Sequence, residues 1–520
     1  MKKLLKFVTE YINDIKRGEL TLNSFLLTFL CIVIIRTVLE FVFESGHFLT
    51  LKSSFYYILV DYVHIFISWL TLYAFISLIL FYLTPVSFIN TFKVTLHFFG
   101  IIIIVPILDY FVFESGTIVY NHSFDTFWFS FLNTFNPFVE LAFATKGVRV
   151  EIALVLIFAY AFVYIESKKH MKALLSVLLI YTIIYMYGYL PAFYNFFLDT
   201  RFEEIINNSF LRTKSDVQFN LYIYLPLVLL LLGVIFKQFD KSMRDTIRDS
   251  IRIERFTIYL GLFLFGFVMT LKNNTIGWET VNLFDVQKVC MAALALLFMF
   301  AYSTVLNNIY DVEIDKISNT KRPLVMQVIT FEHCIELKNF YLFMALLMAL
   351  SINEHFFVLS MLILSLSYLY SAKPLRLKRH FIFANMTLSC IAVSVYLLGV
   401  TLFEGNLTFI NSDKTLLVFI FVLFFISANI KDIKDIRGDK KEGVCTLPIL
   451  LGEAKTMLII KVSAFLCMVL FLYLLGFGAI TLTALLGLML FMSLKLKNSE
   501  SYLLGLQLIA LMIYIFIFLR

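Results

Sequence analysis

The chain has 520 residues, of which 61% are hydrophobic and only 15% are charged, and its formal net charge is +7. In soluble globular proteins about a quarter of all residues are charged, so this composition excludes a soluble globular protein. The apolar runs repeat at about 20 residues, which is the length of helix that crosses a bilayer. We therefore predict an all-α polytopic membrane protein, and we expect no nucleic-acid partner.

The first 235 residues contain about six candidate membrane spans. A further apolar stretch, 127–144, carries Pro137 and Glu140, and we predict that it is re-entrant or interfacial. Six spans place the basic segment 166–172 and the linker that follows on the cytoplasmic side, which satisfies the positive-inside rule. The predicted spans lie near residues 23–43, 56–83, 92–113, 149–166, 171–190 and 220–236. We treat residues 1–235 as a separate transmembrane domain and assign it no function.

Ionisable residues interrupt these N-terminal spans, and ionisable groups inside a membrane are functional candidates by default. The set consists of Arg36, Glu40, Asp61, His64, His97, Asp109 and Glu140. Arg36 and Glu40 are four residues apart and can pair on one helix face. His64 and Asp61 are one turn apart and can do the same. We favour structural roles for the set over a catalytic or transport role.

Residues 236–255 separate the two halves of the chain. They hold six Lys or Arg and four Asp or Glu, with apolar residues at i, i+4 spacing. This pattern predicts an amphipathic cytoplasmic linker helix lying at the membrane surface. Residues 256–520 then contain nine apolar runs, which predict a nine-helix bundle. The runs are centred near residues 264, 297, 345, 362, 392, 421, 466, 486 and 510.

A ladder of polar residues closes the second of these C-terminal spans. Asn307, Asp311 and Asp315 are four residues apart, so on a helix they share one face, while Glu313 points elsewhere. The basic loop 316–338 places this end of the span in the cytoplasm. Aligned carboxylates and an amide form an oxygen-rich surface of the kind that binds Mg²⁺ together with phosphate.

A second carboxylate ladder follows the sixth C-terminal span. Asp435 and Asp439 are four residues apart, and Asp432 lies about one turn earlier. The basic residues interleaved with them are Lys431, Lys434, Arg437, Lys440 and Lys441. Two ladders on one membrane face can hold a diphosphate through bridging Mg²⁺ ions, and the cations can neutralise its remaining oxygens. Either ladder by itself is also typical of a charged loop that caps a helix.

The cytoplasmic loop after the fourth C-terminal span reads YSAKPLRLKRH. It supplies side chains that can reach a phosphate group, and it is also typical of a basic anchor at a membrane face. The candidates are Tyr370, Lys373, Arg376, Lys378 and Arg379.

These three segments resemble the signatures of the UbiA superfamily of intramembrane prenyltransferases. Asn307, Asn308, Asp311 and Asp315 match its first motif, NDxxDxxxD. The second motif, a DxxxD with a preceding Asp, is similar to Asp432, Asp435 and Asp439. The loop at 370–379 resembles the family's YSxxPxRLKR segment, and the resemblance covers roughly residues 255–520.

The resemblance implies a Mg²⁺-dependent transfer of an isoprenyl group from a prenyl diphosphate to a lipophilic or aromatic acceptor, among membrane lipids. It implies the catalytic residues Asp311, Asp315, Asp435 and Asp439. Its implied metal ligands are Asn307, Asp311, Asp315, Asp432, Asp435 and Asp439. Its implied substrate-binding residues are Asn308, Lys321, Arg322, Tyr370, Arg376, Lys378 and Lys434. We expect the site to face the cytoplasm, in the cell (inner) membrane.

Several alternatives stay open at the level of the sequence. The local motifs look closest to members that prenylate isoprenoid glycerol phosphates, homogentisate or chlorophyllide, and they do not choose among these acceptors. A phosphoribosyl-lipid transferase would use the same Mg²⁺–diphosphate chemistry. The segment RPLVMQVIT, 322–330, replaces the small Ser-Gly turn of many members, which is the basis for a scaffold alternative. A transporter is less favoured, because the carboxylates lie at helix ends and not at the bilayer midplane.

Overall fold

The computed structural model describes residues 2–40, 42–43, 55–113, 124–141, 144–193, 216–239, 241–273, 283–402, 414–441 and 443–474. Over these ranges the named elements are all helices. Ten of the helical segments are long and apolar enough to cross a membrane. The prediction of an all-α, multi-pass membrane protein is confirmed. The chain divides into two compact units, Met1–Phe239 and Asp240–Arg520.

The first unit contains five of the ten candidate spans. Its α-helices are α1 (Lys2–Arg17), α2 (Leu22–Glu40), α3 (Phe55–Leu83), α4 (Phe88–Phe99), α5 (Ile104–Leu108), α6 (Phe127–Asn133), α7 (Lys146–Ser167), α8 (His170–Gly188) and α9 (Asp216–Phe236). A 3₁₀ turn at Gly100–Ile103 and a π turn at Asp109–Phe113 extend the α4–α5 path into one span, Phe88–Phe113. The predicted span at 220–236 lies within α9, whose apolar part, Pro226–Phe236, is shorter than a typical span.

The stretch 127–144 folds as we expected for a non-spanning segment. Its only described helix, α6, has 7 residues, which is far too short to cross a bilayer. The irregular backbone after α6 is held by Arg149, which donates to the carbonyl oxygens of Asn136 at 2.9 Å, Val139 at 2.6 Å and Ala144 at 3.1 Å. A buried guanidinium thus satisfies carbonyl groups that no helix satisfies.

Two further buried charged residues of this unit, Asp109 and Arg36, also have protein partners. Asp109 accepts from the Thr145 hydroxyl at 2.5 Å and from the Gly147 amide at 2.7 Å. Arg36 donates to the Ile102 carbonyl at 3.1 Å and lies 3.8 Å from Glu40, as predicted for that pair. His64 is buried, and His97 and Glu140 are exposed. The Asp61 side chain lies outside the described residues.

The second unit contains the other five candidate spans. Its α-helices are α10 (Lys241–Ile251), α11 (Ile253–Asn273), α12 (Leu283–Tyr310), α13 (Val312–Ser318), α14 (Phe331–Leu350), α15 (Glu354–Ser371), α16 (Phe381–Val400), α17 (Lys414–Ser427), α18 (Asn429–Lys441), α19 (Leu447–Leu451) and α20 (Glu453–Leu474). The predicted sixth span, α17, has 14 residues. The last two predicted spans, near 486 and 510, lie outside the described residues.

Helices α11 and α16 cross at two glycines. A Cβ atom added at Gly266 would lie 2.1 Å from the Tyr396 carbonyl oxygen, and one added at Gly399 would lie 2.0 Å from the Phe263 carbonyl oxygen. Both neighbours are backbone atoms that cannot rotate away. Small residues permit this close approach, as they do in membrane helix pairs generally. The contact fixes the position of α11 relative to α16, and both helices line a cavity in this unit.

The linker helix is shorter than the predicted 236–255, and it packs differently. Helix α10 ends at Ile251, because Arg252 adopts a positive φ of 40° before α11 begins. Its buried residues are Thr246 and Ser250, whereas the apolar positions of the predicted stripe are half-buried. Ser250 shares a hydrogen bond of 2.9 Å with the Tyr341 hydroxyl of α14. The helix is therefore anchored to the second unit by its polar face.

Candidate active site

The first carboxylate ladder lies where α12 passes into α13. Asp311 interrupts the helix, but backbone hydrogen bonds continue through it, from the Asp311 amide to the Asn307 carbonyl at 2.9 Å and from the Asp315 amide to the Asp311 carbonyl at 2.8 Å. The three side chains consequently stay on one face, as the sequence predicted. All three line a cavity of about 300 Å³. Asp311 and Asp315 are buried, whereas Glu313 is exposed and pairs with Lys316 at 2.7 Å.

The basic loop after α15 places two cations on this ladder. Lys378 donates to Asp311 and, at 3.0 Å, to the amide oxygen of Asn307. Arg376 donates to Asp311 at 3.0 Å and to the Tyr310 carbonyl at 3.2 Å. Both cations are buried, and Lys378 lines the cavity. A buried charge without a partner is strongly unfavourable, so burial holds these cations and the carboxylate in a defined geometry.

The same loop is joined to the segment that follows the second ladder. The Cys445 amide donates to the Arg379 carbonyl at 2.8 Å, and the Phe381 amide donates to the Cys445 carbonyl at 3.0 Å. Gly443, with φ of 67°, allows the turn that leads into this contact. Backbone pairing therefore joins the basic loop to the segment after the second ladder, and side chains of the same loop contact the first ladder.

The second ladder lies on α18, which packs against α13. Asp432 is buried and lines the cavity. Asp435 and Asp439 follow it on the same helix, so the predicted helical spacing is present in the backbone. The side chains of Asp435, Asp439 and Lys434 lie outside the described residues, and their predicted roles stay predictions.

Two arginines that line the cavity belong to none of the three predicted motifs. Arg252 and Arg255 line the cavity together with the predicted Arg322. Arg252 donates to the side-chain oxygen of Asn308 at 2.7 Å, and Arg322 pairs with Asp249 of α10 at 3.1 Å. The sequence pattern had assigned Arg252 and Arg255 to the linker surface. Their charge near the start of a span was the available signal, and it is shared with every cytoplasmic anchor.

The remaining predicted substrate-binding residues separate into two groups. Tyr370 lines the cavity. Lys321 is exposed and is not among the cavity residues, and Asn308 contacts Arg252 without lining the cavity itself. Ser371, the second residue of the YSAKPLRLKRH segment, also lines the cavity, and so does Asn319, which carried no motif signal and donates to Asp315 at 2.8 Å.

Much of the remaining cavity wall is apolar, and hydroxyl groups such as those of Ser303, Ser367 and Thr446 interrupt it. It is formed by side chains from four transmembrane helices and from α17, among them Ile258, Leu296, Met299, Phe300, Ile363, Leu388, Ile391, Val395 and Phe424. The cavity thus combines a charged, oxygen-rich end with a hydrocarbon lining. This combination suits an amphiphile with an anionic head group and an apolar chain.

The donor set agrees with the requirements of Mg²⁺. In the described parts of the chain, no three His, Cys, Asp or Glu side chains are close enough to form a complete metal cluster. Magnesium needs only one or two carboxylates, because water and substrate phosphate complete its coordination. Asp311, Asp315 and Asp432, buried in one cavity, meet that requirement, and Asn307 adds a further oxygen.

Comparison with known proteins agrees with this site. Residues 260–507 match the profile of the UbiA prenyltransferase family. The C-terminal half of this chain belongs to the UbiA family. The matched range of the UbiA domain contains both carboxylate ladders and the basic loop, so the resemblance inferred from the motifs is confirmed. Arg252 and Arg255 lie just before it.

The UbiA domain is also similar to curated archaeal relatives. A digeranylgeranylglyceryl phosphate synthase of Methanococcus aeolicus is 33% identical over 202 residues, covering 37% of this chain and 66% of the relative. That of Sulfurisphaera tokodaii is 27% identical over 186 residues, covering 36% of this chain and 64% of the relative. The chain therefore spans slightly less than two thirds of the length of these relatives.

Among solved structures, a UbiA homolog from Archaeoglobus fulgidus bound to GPP and Mg²⁺ superposes with a TM-score of 0.41 and 19% identity. The superposition covers 52% of this chain and 98% of that chain. The family assignment rests on the sequence profile and on the three motifs.

Proposed function

We propose that the second unit is a Mg²⁺-dependent intramembrane prenyltransferase, which transfers an isoprenyl group from a prenyl diphosphate to a lipid acceptor. The observation that carries the proposal is the single cavity in which buried carboxylates and a buried lysine meet an apolar lining. A prenyl diphosphate has the matching two parts, an anionic head and a hydrocarbon tail. The family assignment supports the same reaction.

The diphosphate head group would lie against the two carboxylate ladders. Asn307, Asp311, Asp315 and Asp432 are the described residues that would hold Mg²⁺, and Asp435 and Asp439 follow on α18. When bound, Mg²⁺ would supply positive charge that stabilises the leaving diphosphate.

Lys378 and Arg376 of the basic loop also have roles in the proposed reaction. Lys378 contacts both Asp311 and Asn307 and lines the cavity, so its ammonium group can donate to a diphosphate oxygen placed there. Arg376 holds Asp311 in place through its contact of 3.0 Å. Preorganised donors at the point where negative charge develops are among the strongest contributions to catalysis.

The reaction breaks the bond between the allylic carbon and the diphosphate oxygen. A nucleophilic oxygen of the acceptor then forms a bond to that carbon and loses its proton. The apolar wall, with residues such as Met299, Ile391 and Val395, would surround the prenyl chain and exclude water from the allylic cation. This exclusion favours transfer to the acceptor over hydrolysis.

For the acceptor we propose a prenylated glyceryl phosphate. The support is the similarity to relatives named digeranylgeranylglyceryl phosphate synthase. The positive-inside rule supports a site that faces the cytoplasm, because the basic loops at 316–338, 373–379 and 431–441 all lie at this end of the helices. We place the protein in the cell membrane.

The test is diphosphate release by the purified full-length protein. Geranylgeranyl diphosphate and geranylgeranylglyceryl phosphate are supplied with and without Mg²⁺, and the radiolabelled lipid product is identified. We expect release and product formation that require Mg²⁺ and that are lost in Asp435→Ala, while Lys455→Gln, which changes an exposed cation of α20, serves as a control for folding. Folded protein that consumes no prenyl diphosphate with this acceptor or with a total lipid extract contradicts the proposal. Consumption of phosphoribosyl diphosphate instead would assign the phosphoribosyl-lipid alternative.

A further inference from the structure

Three guanidinium groups line the cavity besides the lysine that contacts the first ladder. Arg252 precedes α11, Arg255 lies in its first turn, and Arg322 lies in the loop after α13. The donor site proposed above makes no use of them. Because the three arginines reach one cavity from separate parts of the chain, they form a candidate binding site for a second anion.

Arg252 is the best defined of the three. Its Nη2 atom donates to the neutral amide oxygen of Asn308 at 2.7 Å, which orients the guanidinium without offsetting its charge. Its Nε atom is buried and has no hydrogen-bond partner in the described structure. A buried donor without a partner is unfavourable, and a ligand oxygen would remove that penalty.

The surroundings of Arg252 are rich in positive charge. Burial and the nearby guanidinium groups of Arg322 and Arg255 lower the pKa of Arg252 to about 10, against opposing effects of Asp249 and Asp315. Asp249 is already paired with Arg322, and Asp315 belongs to the first ladder. The guanidinium groups of Arg322 and Arg255 thus lie close enough to Arg252 to repel its charge. An anionic ligand would relieve this repulsion.

Resting on the proposed function, we propose that Arg252, Arg255 and Arg322 form an acceptor subsite, which binds the phosphate group of the acceptor lipid. The acceptor is then a phosphorylated lipid and not a neutral phenol or quinol. Arginine suits this task because its planar fork binds phosphate oxygens in pairs. The phosphate would lie at the α10–α11 side of the cavity, and the donor diphosphate would lie against the ladders and Lys378.

Helix α10 has a defined part in this subsite. Its Asp249 orients Arg322, and its Ser242 hydroxyl donates to the Val328 carbonyl in the loop that carries Arg322. The segment 322–330, which departs from the small turn expected for the family, is thereby held against α10. In this protein the contact between the loop and the linker helix places Arg322 on the same cavity as Arg252 and Arg255.

The test measures lipid binding in the absence of any donor, so that it does not depend on turnover. Full-length protein in nanodiscs is titrated with geranylgeranylglyceryl phosphate and, separately, with the same lipid lacking phosphate. We expect Arg252→Gln to weaken binding of the phosphorylated lipid at least about tenfold, the loss expected for one charged hydrogen bond, and to leave the alcohol unchanged. Asn308→Asp should act in the same direction, since a carboxylate there neutralises Arg252.

Two controls accompany these variants. Arg248→Gln removes the same charge from the exposed side of α10, where the side chain is 70% exposed, and it should bind both lipids as the unaltered protein does. Arg252→Lys keeps a cation and should recover part of the affinity, which separates loss of charge from loss of folding. The thermal unfolding midpoint of each variant is measured alongside.

Several results would overturn the subsite. Equal binding of the phosphorylated lipid by Arg252→Gln and by the unaltered protein would do so, and so would equal losses for both lipids. A matched titration with geranylgeranyl diphosphate keeps the two proposals separate. If Arg252→Gln weakens the diphosphate as strongly as the glyceryl phosphate, these arginines belong to the donor site. If the unaltered protein binds the glyceryl phosphate but never the diphosphate, the proposed transfer fails and the subsite remains.

Discussion

Both units of this protein bury charged side chains among apolar helices, but the two sets of charges have different surroundings. In the first unit, Arg149 donates to three backbone carbonyls and Asp109 accepts from Thr145 and Gly147. In the second unit, Asp311, Asp315, Asp432 and Lys378 line a cavity of about 300 Å³. The first arrangement closes irregular backbone, whereas the second leaves room for a ligand.

The difference shows that a buried charge by itself does not identify an active site. Ionisable groups within a membrane protein are candidates for function by default, yet Arg149 donates to three backbone carbonyls of an irregular segment. In the second unit a cavity lies beside the charges, whereas Arg149 and Asp109 contact backbone and hydroxyl groups of the protein. We therefore expect substitutions in the first unit to affect stability and substitutions in the second to affect chemistry.

The largest effect is expected for Asp311→Ala. This change removes a proposed metal ligand and leaves the buried cations Lys378 and Arg376 without their carboxylate. We expect the rate of prenyl transfer to fall by about 10³-fold or more. The measurement is the single-turnover rate of product formation with saturating substrates. A loss below tenfold in folded protein would show that Asp311 is a structural charge like Arg149.

Gly399→Ala should disturb both stability and transfer. The added Cβ would lie 2.0 Å from the Phe263 carbonyl oxygen and 2.7 Å from the Phe267 nitrogen, so α11 and α16 must move apart. We expect a loss of about 2–3 kcal/mol in unfolding free energy, together with reduced transfer, because both helices line the cavity. Gly233→Ala is the control, since nothing lies within 4 Å of its Cβ position. Unfolding is followed by heating in detergent.

Arg149→Leu should destabilise the first unit without changing the chemistry. The substitution removes three hydrogen bonds to backbone carbonyls at 2.6–3.1 Å. We expect a loss of about 2 kcal/mol in stability, and an unchanged rate of transfer per folded molecule. Thermal unfolding and rate are measured on the same preparation. A slower rate at unchanged stability would overturn the contrast between the units, because it would give Arg149 a role in function.

Glu313→Gln should have the smallest effect. Glu313 is next to the first ladder in sequence, but its side chain is 67% exposed and pairs with Lys316 at 2.7 Å. Exposed ion pairs contribute about 0–1 kcal/mol, so stability and transfer should both be close to those of the unaltered protein. A large loss of transfer would mean that the ladder includes the residue that helical spacing excludes.

Much of the second unit could be predicted because the sequence patterns that indicate it each lie within a single helix or loop. The spacing of Asn307, Asp311 and Asp315 determines a common helix face, and the structure keeps that face through the interruption at Asp311. Hydropathy located the long spans for a similar reason, since a bilayer imposes one length on every crossing helix. The family could be named from the same local motifs.

Other features depended on contacts that have no local signal. Arg252 was read as part of a surface linker, but a positive φ at that residue turns its side chain into the cavity. Asn308 was predicted to bind substrate, and in the structure its side-chain oxygen accepts from Arg252. Lys321 and Arg322 were both predicted to bind substrate; Arg322 lines the cavity and Lys321 is exposed, and the three binding roles stay predictions.

The sequence by itself determined that this is a helical membrane protein with two carboxylate ladders and a basic loop, because helical period and bilayer thickness act within one segment. Only the tertiary structure decided which charges share a cavity. The backbone pairing of Arg379 with Cys445 joins segments more than sixty residues apart, and the Gly266–Gly399 crossing brings α11 against α16. These are tertiary contacts between distant parts of the chain, and the periodicity within a single helix does not encode them.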